Sequence, residues 1–334
     1  RDLANFDEQT VIDNKLSDQM CINCHIQNQT STKDMMVHIR GSLAGTYIKH
    51  NGVEELIDTR LDSLLSVCVY NAWHPSGKFI AFSVNGTRQS FHVGGMKRIE
   101  VYDKGSDMVV YDVENHVIIR QPVLMTGMCE TYPSFSPDGK WLYYCSSLRP
   151  ENDECEEFKY DINRIAFDME KCCVYGDRAT VVEASKDGRN ASFPRISPDG
   201  KYMMYSISDY GTFPIHHPEA DLRMLNMETM AVDSMTIVNS DDAESYHNWS
   251  ADSRWFVFCS RRDDGMHTRL YIGHVDSDGH CDKPFMLPQK NPKRYYMELF
   301  QSYNTPDFCD DMVAIDHRWL LGNLKKGARK IELK

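Results

Sequence analysis

The chain has 334 residues, 41% of them hydrophobic and 26% charged, with a formal net charge of −12. That balance fits one soluble globular protein, and no apolar run is long enough to span a bilayer as a helix. The acidic surplus argues against nucleic acid and anionic membrane surfaces as partners. Arg1 is not an initiator methionine, so an export signal or a membrane anchor is expected ahead of it.

Residues 1–40 carry the sharpest chemical motif, Cys21-Ile22-Asn23-Cys24-His25. Attachment of a c-type haem needs two thiols to add across the vinyl groups and a histidine beside them to ligate iron. Cys21, Cys24 and His25 supply that set, which makes haem c the cofactor expectation, with His25 on the iron. Half a zinc site, a redox dithiol and an incidental pair remain open. Met35, Met36 and His38 follow closely, and Met36 or His38 would serve as a further iron ligand. The plainer reading of Met35-Met36-Val37-His38-Ile39 is a buried strand.

A weak turn-and-strand unit follows at Gly45-Thr46-Tyr47-Ile48 and Glu55-Leu56-Ile57-Asp58. Then one phrase returns four times: HPSGKFIAFS from His74, SPDGKWLYYCS from Ser136, SPDGKYMMYS from Ser197 and SADSRWFVFCS from Ser250. Those starts lie 62, 61 and 53 residues apart. Pro137 and Pro198 preset a turn, Asp138 and Asp199 can bond their own backbone, and Gly139 and Gly200 accept positive φ. The aromatic-rich run after each turn has strand length and strand composition. A second phrase keeps step with the first, at Asp107–Tyr111, Asp161–Ile165, Asp221–Leu225 and Thr268–Ile272. A repeat of this period, each unit needing its neighbour to bury a face, predicts an all-β propeller of four-stranded blades. The spacing predicts six blades, with five as the alternative. The domain reading is an N-terminal segment over 1–40 and a propeller over 41–334, the segment helping to close the ring. Trp141, Tyr202 and Trp255 are expected to pack between blades.

The SPDGK-plus-aromatic phrase resembles that of TolB-type propellers, a WD-like repeat also found in prolyl oligopeptidases, over roughly residues 60–290. The stretches SYHNWS from Ser245, SRRDDG from Ser260 and KPFMLPQ from Lys283 are similar to a group of exported TolB-like proteins of Bacteroidetes that carry CxxCH near the N-terminus. This resemblance implies location in the periplasm or at the cell surface. It also implies that residues just before each turn line a central funnel. Here those are Glu130, Tyr132, Arg195, Glu244, Tyr246 and His247, a polar and aromatic set suited to a peptide or small polar ligand.

No G-x-S-x-G elbow, H-E-x-x-H, P-loop or dinucleotide fingerprint is present. The leading expectation is therefore a scaffold that binds a protein or peptide, with haem adding electron transfer or redox sensing. The alternatives are a haem- or funnel-based enzyme and a purely structural module in which CINCH is vestigial. Among the other cysteines, Cys155 with Cys172 or Cys173 is the best disulfide candidate, and Cys145 and Cys259 read as buried hydrophobes. His216-His217 is expected to be exposed and inert, and Ser260–Asp264 to be a turn with a local salt bridge.

Overall fold

The computed structural model describes residues 1–17, 20–94, 99–149 and 155–334, with side chains for all of these except Asn23 and Cys155. Five antiparallel four-stranded meanders follow one another. The first is β1 (Met20–Asn28), β2 (Ser31–Gly41), β3 (Gly45–His50) and β4 (Val53–Asp58). The second is β5 (Cys68–Trp73), β6 (Phe79–Phe91), β7 (Ile99–Asp112) and β8 (Val117–Arg120). The third is β9 (Cys129–Phe135), β10 (Trp141–Ser147), β11 (Asp161–Asp168) and β12 (Cys173–Val182). The fourth is β13 (Asn190–Ile196), β14 (Tyr202–Ser208), β15 (Asp221–Asn226) and β16 (Val232–Asp233). The fifth is β17 (Glu244–Trp249), β18 (Trp255–Ser260), β19 (Arg269–His274) and β20 (Phe285–Met286).

The repeated phrase occupies the same place in each of the last four meanders, at the turn from first to second strand. The Ser136, Ser197 and Ser250 hydroxyls each donate to the aspartate two residues on and accept the amide of the aromatic that opens the second strand. A side chain that bonds its own turn makes the turn self-contained. Of the opening aromatics, Tyr202 packs between sheets as expected, its ring reaching Gly279 of the fifth meander, whereas Trp255 does not. Trp141 and Tyr202 are half-buried and Trp255 is exposed, lying over His274 at 4.6 Å. The positions just behind them, Leu142, Met203 and Phe256, are fully buried and make the core.

The N-terminal segment is not separate from the meanders. Residues 20–41 form the first two strands of a sheet that β3 and β4 complete, and Cys21–His25 lies within β1. The C-terminal region, expected to add a blade, does something else. It forms helices α1 (Pro292–Glu298) and α2 (His317–Lys326), then short strands β21 (Arg329–Lys330) and β22 (Glu332–Leu333). These two strands pair in parallel with the edges β4 and β8. Leu320 and Leu324 of α2 are buried with Met35, Val37, Ile39 and Tyr47. The tail thus straps the first two meanders while residues 299–310 run from the fifth to the first. Arg269 donates to the Leu299 and Gln301 carbonyls, and Asp310 bonds Thr30 and Thr32 in β2's approach.

None of the ten described cysteine side chains forms a disulfide, Cys172 and Cys173 included, and the Cys155 side chain lies outside the described residues. Cys145 and Cys259 are fully buried, as expected of small hydrophobes.

Candidate functional site: the axis where the first strands meet

Each meander's first strand carries a bulge at one equivalent place, and each bulge holds a non-glycine residue at positive φ. These are Cys24 (52°), Tyr70 (36°), Tyr132 (52°), Phe193 (55°) and Tyr246 (50°). The ladder register slips at each one. A β-bulge re-aims a side chain, and left-handed backbone at a bulky residue persists only where surrounding packing imposes it. Here the packing is mutual. Tyr70 meets Tyr132 at 5.1 Å between ring centroids, Tyr132 meets Phe193 at 4.0 Å, and Phe193 meets Tyr246 at 5.2 Å. Phe213, from the loop after β14, touches Tyr70 and Tyr246 at 5.7 and 6.4 Å. The Cys24 sulfur sits against the Tyr70 backbone amide. These groups fill the axis with a solid plug. Burial drives the Tyr70, Tyr132 and Tyr246 hydroxyls well above the usual phenol range and the Cys24 thiol upward.

Three residues further along, on the turn side of the plug, the same strands open a cavity of about 90 Å³. All five contribute the equivalent residue to its wall: Gln27, Trp73, Phe135, Ile196 and Trp249. The preceding residues, Ile26, Ala72, Ser134, Arg195 and Asn248, complete it. Arg195 is its one lining cation. Its Nη1 donates to the Pro133 and Pro194 carbonyls at 3.4 and 3.1 Å, and burial lowers its pKa. No carboxylate of the described residues lies within ion-pair distance of it. Asp307, from the tail, is buried nearby; its Oδ1 accepts from the Asn248 amide and its Oδ2 is 3.8 Å from His25 Nε2. Burial pushes the Asp307 carboxyl up. Two buried polar atoms of the wall residues have no protein partner among the described residues: Gln27 Oε1 and Trp73 Nε1.

The expected funnel residues therefore separate into different jobs. Tyr132 and Tyr246 belong to the plug, with Tyr132 donating to the Thr212 carbonyl at 2.8 Å. Glu244 lies beyond the plug in a bonded cluster with Ser240, Ser260 and Arg262, the last at 2.9 Å. Ser260–Asp264 does run into a turn, closed by the Asp264 and Gly265 amides on the Arg261 carbonyl, but Arg262 pairs with Glu244 of another strand rather than within that turn. Glu130 bonds Thr126, and burial raises it to about 7. His247 is buried between neighbouring sheets, bonds the Met204 carbonyl at 3.0 Å and is pushed down to about 3 by burial. Of the six, Arg195 alone lines the cavity.

The CINCH residues part company as well. Cys21 is exposed, the Cys24 sulfur is engaged at the plug, and His25 is half-exposed beside Asp307. The proposed further iron ligands are interior. Met36 is fully buried and accepts from Asn71 Nδ2 at 3.7 Å. His38 is buried against Thr46 Oγ1 at 3.1 Å and lowered to about 4 by burial and by Arg40. Covalent attachment needs both thiols open to one porphyrin, and the cavity alongside is several-fold smaller than a pocket for a ligand of that size. The folded arrangement does not fit a haem.

Sequence reading missed Cys24 and Tyr70 as plug residues, and Gln27, Asn248 and Asp307 at the cavity. Counting back four residues from each turn start would have found Tyr70 with Tyr132, Phe193 and Tyr246. Cys24 appears by the same count from Asn28, whose turn lacks the phrase. Asp307 has no repeat to announce it.

His216-His217 is also not the exposed pair expected. His217 is fully buried, with Nε2 at 3.1 Å from Glu100 and Nδ1 at 3.4 Å from Glu219. Glu100 comes from the long β6–β7 hairpin of the second meander. That hairpin also bonds the third through Tyr160 to Asp103 at 2.8 Å.

No protein-family model matches this sequence. No curated protein matches it either. Solved structures do resemble it in fold. The TolB of Agrobacterium tumefaciens superposes with a TM-score of 0.50 at 18% identity, over 80% of this chain and 80% of that one. The TolB of Acinetobacter baumannii gives 0.47 at 15%, over 80% of this chain and 58% of that one, so this chain spans under two thirds of it. Prolyl oligopeptidase B of Galerina marginata gives 0.47 at 14%, over 83% of this chain and 37% of that one. The mostly β chain thus matches the TolB-type propeller fold at low identity. Among the described residues no helix is long and apolar enough to cross a membrane.

Proposed function

We propose that the chain is a five-bladed TolB-like propeller, closed by its C-terminal strap, that acts as a protein- or peptide-binding scaffold through its axial cavity. One observation carries this reading: five equivalent strand positions converge on a single recess whose floor is a packed plug. A recess with a solid floor presents a surface to dock on and gives no through-channel. The acidic net charge favours partners that are neutral or basic outside the recess. Location in the periplasm or at the cell surface rests on the family resemblance, and fractionation of cells producing the full-length gene product tests it. Electron transfer through a haem is not part of this reading, because Cys24 is committed to the plug.

The test of docking uses Thr30→Trp, which adds bulk at the rim, where the Thr30 backbone already holds Asp310. A random-peptide library is selected on the parent protein. Selected peptides should bind Thr30→Trp at least about tenfold more weakly. Peptides that bind both forms equally, or a library that yields none, would remove the axial cavity as the docking site.

A further inference from the structure

The axial cavity is small, polar at defined points and incompletely satisfied. Arg195 spends one nitrogen on two backbone carbonyls, and among the described residues its Nε and Nη2 have no hydrogen-bond partner. Asp307 is near enough to favour the charge but not to pair with it, and a half-buried guanidinium without a direct ion pair gains from a further acceptor. Trp73 is 6% exposed, and its indole N–H lacks an acceptor. Gln27 is 5% exposed, and its Oε1 lacks a donor. The wall thus offers a forked cation and a neutral donor on one hand and an acceptor on the other.

We infer that the axial cavity binds a carboxylate flanked by an N–H or O–H donor, with Arg195 and the Trp73 indole holding the carboxylate and Gln27 Oε1 accepting from the neighbouring donor. This deepens the docking reading and rests on it. A planar monoanion matches the guanidinium fork. A dianion such as phosphate is disfavoured, because Asp307 lies close by and one arginine is the wall's only cation. At about 90 Å³ the space takes the end of a chain or one small acid, and no more. The chemistry has two sources: the C-terminal residue of a peptide, and a free hydroxy- or acylamino-acid.

N-acetylglycine, N-acetylglycinamide, inorganic phosphate and N-acetyl-triglycine are the probes, read by tryptophan fluorescence, since Trp73 and Trp249 both line the cavity. N-acetylglycine should give a saturable change, with the amide and phosphate at least about tenfold weaker. Binding of N-acetyl-triglycine as well assigns the site to peptide C-termini; its exclusion assigns a free small acid. Arg195→Gln should weaken N-acetylglycine at least about tenfold. Trp73→Phe should weaken it by roughly fivefold, with Trp249 still reporting. That variant decides the matter if Arg195→Gln does not fold. Equal binding of the amide, tighter binding of phosphate, parent-like binding by the variants, or no saturable signal overturns the proposal. If library-selected peptides with amidated ends still bind the cavity, the docking reading survives that failure. If those are lost too, both fall.

Discussion

The two halves of the axis are built from the same five strands and behave in opposite ways. At the bulges, Tyr70, Tyr132, Phe193 and Tyr246 aim inward and fill the space with ring on ring. Three residues later the same strands leave a recess with unsatisfied polar atoms. The difference shows what repetition does here. A repeated bulge with a large ring makes a stable hub. Letting the next positions vary, with Ser134, Arg195 and Asn248 at one equivalent place, makes a site that no two strands furnish alike.

Tyr132→Ala should break the plug half and have the largest effect. It removes a ring that is 2% exposed and strands the Thr212 carbonyl, so a loss of about 3–5 kcal/mol is expected in urea unfolding. A loss under about 1 kcal/mol would show the plug to be loosely packed.

Next is the clamp that the β6–β7 hairpin makes through Glu100 and His217. Burial alone would lower His217, but its bonds to Glu100 and Glu219 outweigh that and hold it above the usual imidazole value. Tyr210 lies against its ring at 4.5 Å, and the neighbouring His216 faces Arg261 at 2.9 Å. A raised folded value means the pair's stabilisation is complete below the unfolded value of about 6.5 and is lost as pH rises through the folded one. Glu100→Gln should therefore cost roughly 3 kcal/mol at pH 6, and less as pH climbs. Chemical unfolding of both proteins across pH 5.5–9 measures the difference. A cost that is flat with pH would mean that His217 does not change charge across that range.

The two CINCH cysteines give a finer contrast. Cys24→Ser should cost about 1–2 kcal/mol because the thiol is packed at the plug, whereas Cys21→Ser, on the open side of the strand, should lie within about 0.5 kcal/mol of the parent. Equal effects would remove Cys24 from the hub. The smallest change is expected from Ser134→Ala, two residues past Tyr132 on the same strand. Among the described residues its hydroxyl has no protein hydrogen bond, and it lines a recess open to solvent, so a shift within about 0.5 kcal/mol is expected in the same assay. A larger loss would mean that the mouth, too, is part of what holds the hub together.

Much of the architecture was legible. The phrase at His74, Ser136, Ser197 and Ser250 marks four second strands, because a tight polar turn, Pro-Asp-Gly in two of them, and an alternating strand are local chemistry. The first meander was half-hidden: its first two strands are joined by a tight hairpin at Gln29-Thr30 that lacks the phrase, so CINCH looked detached from the repeats. The site was less legible still. Left-handed Tyr and Phe leave no sequence signal of the kind Gly or Asn does, so the bulges could not be read from residue type. Trp255 was expected inside on composition, yet it opens its strand at a rim where one face meets water.

By itself, then, the sequence determined the strands, their turns and the repeat that relates them, since these depend on neighbours within a few residues. Tertiary structure alone decided which residues meet at the axis, that Cys24 faces Tyr70, and that Asp307 reaches Asn248 and His25. It also decided that the tail straps β4 and β8 instead of adding strands to a new sheet. Those contacts join residues from 46 to 282 positions apart in the chain, from Cys24–Tyr70 to His25–Asp307. Their chemistry exists only once the meanders have packed against one another.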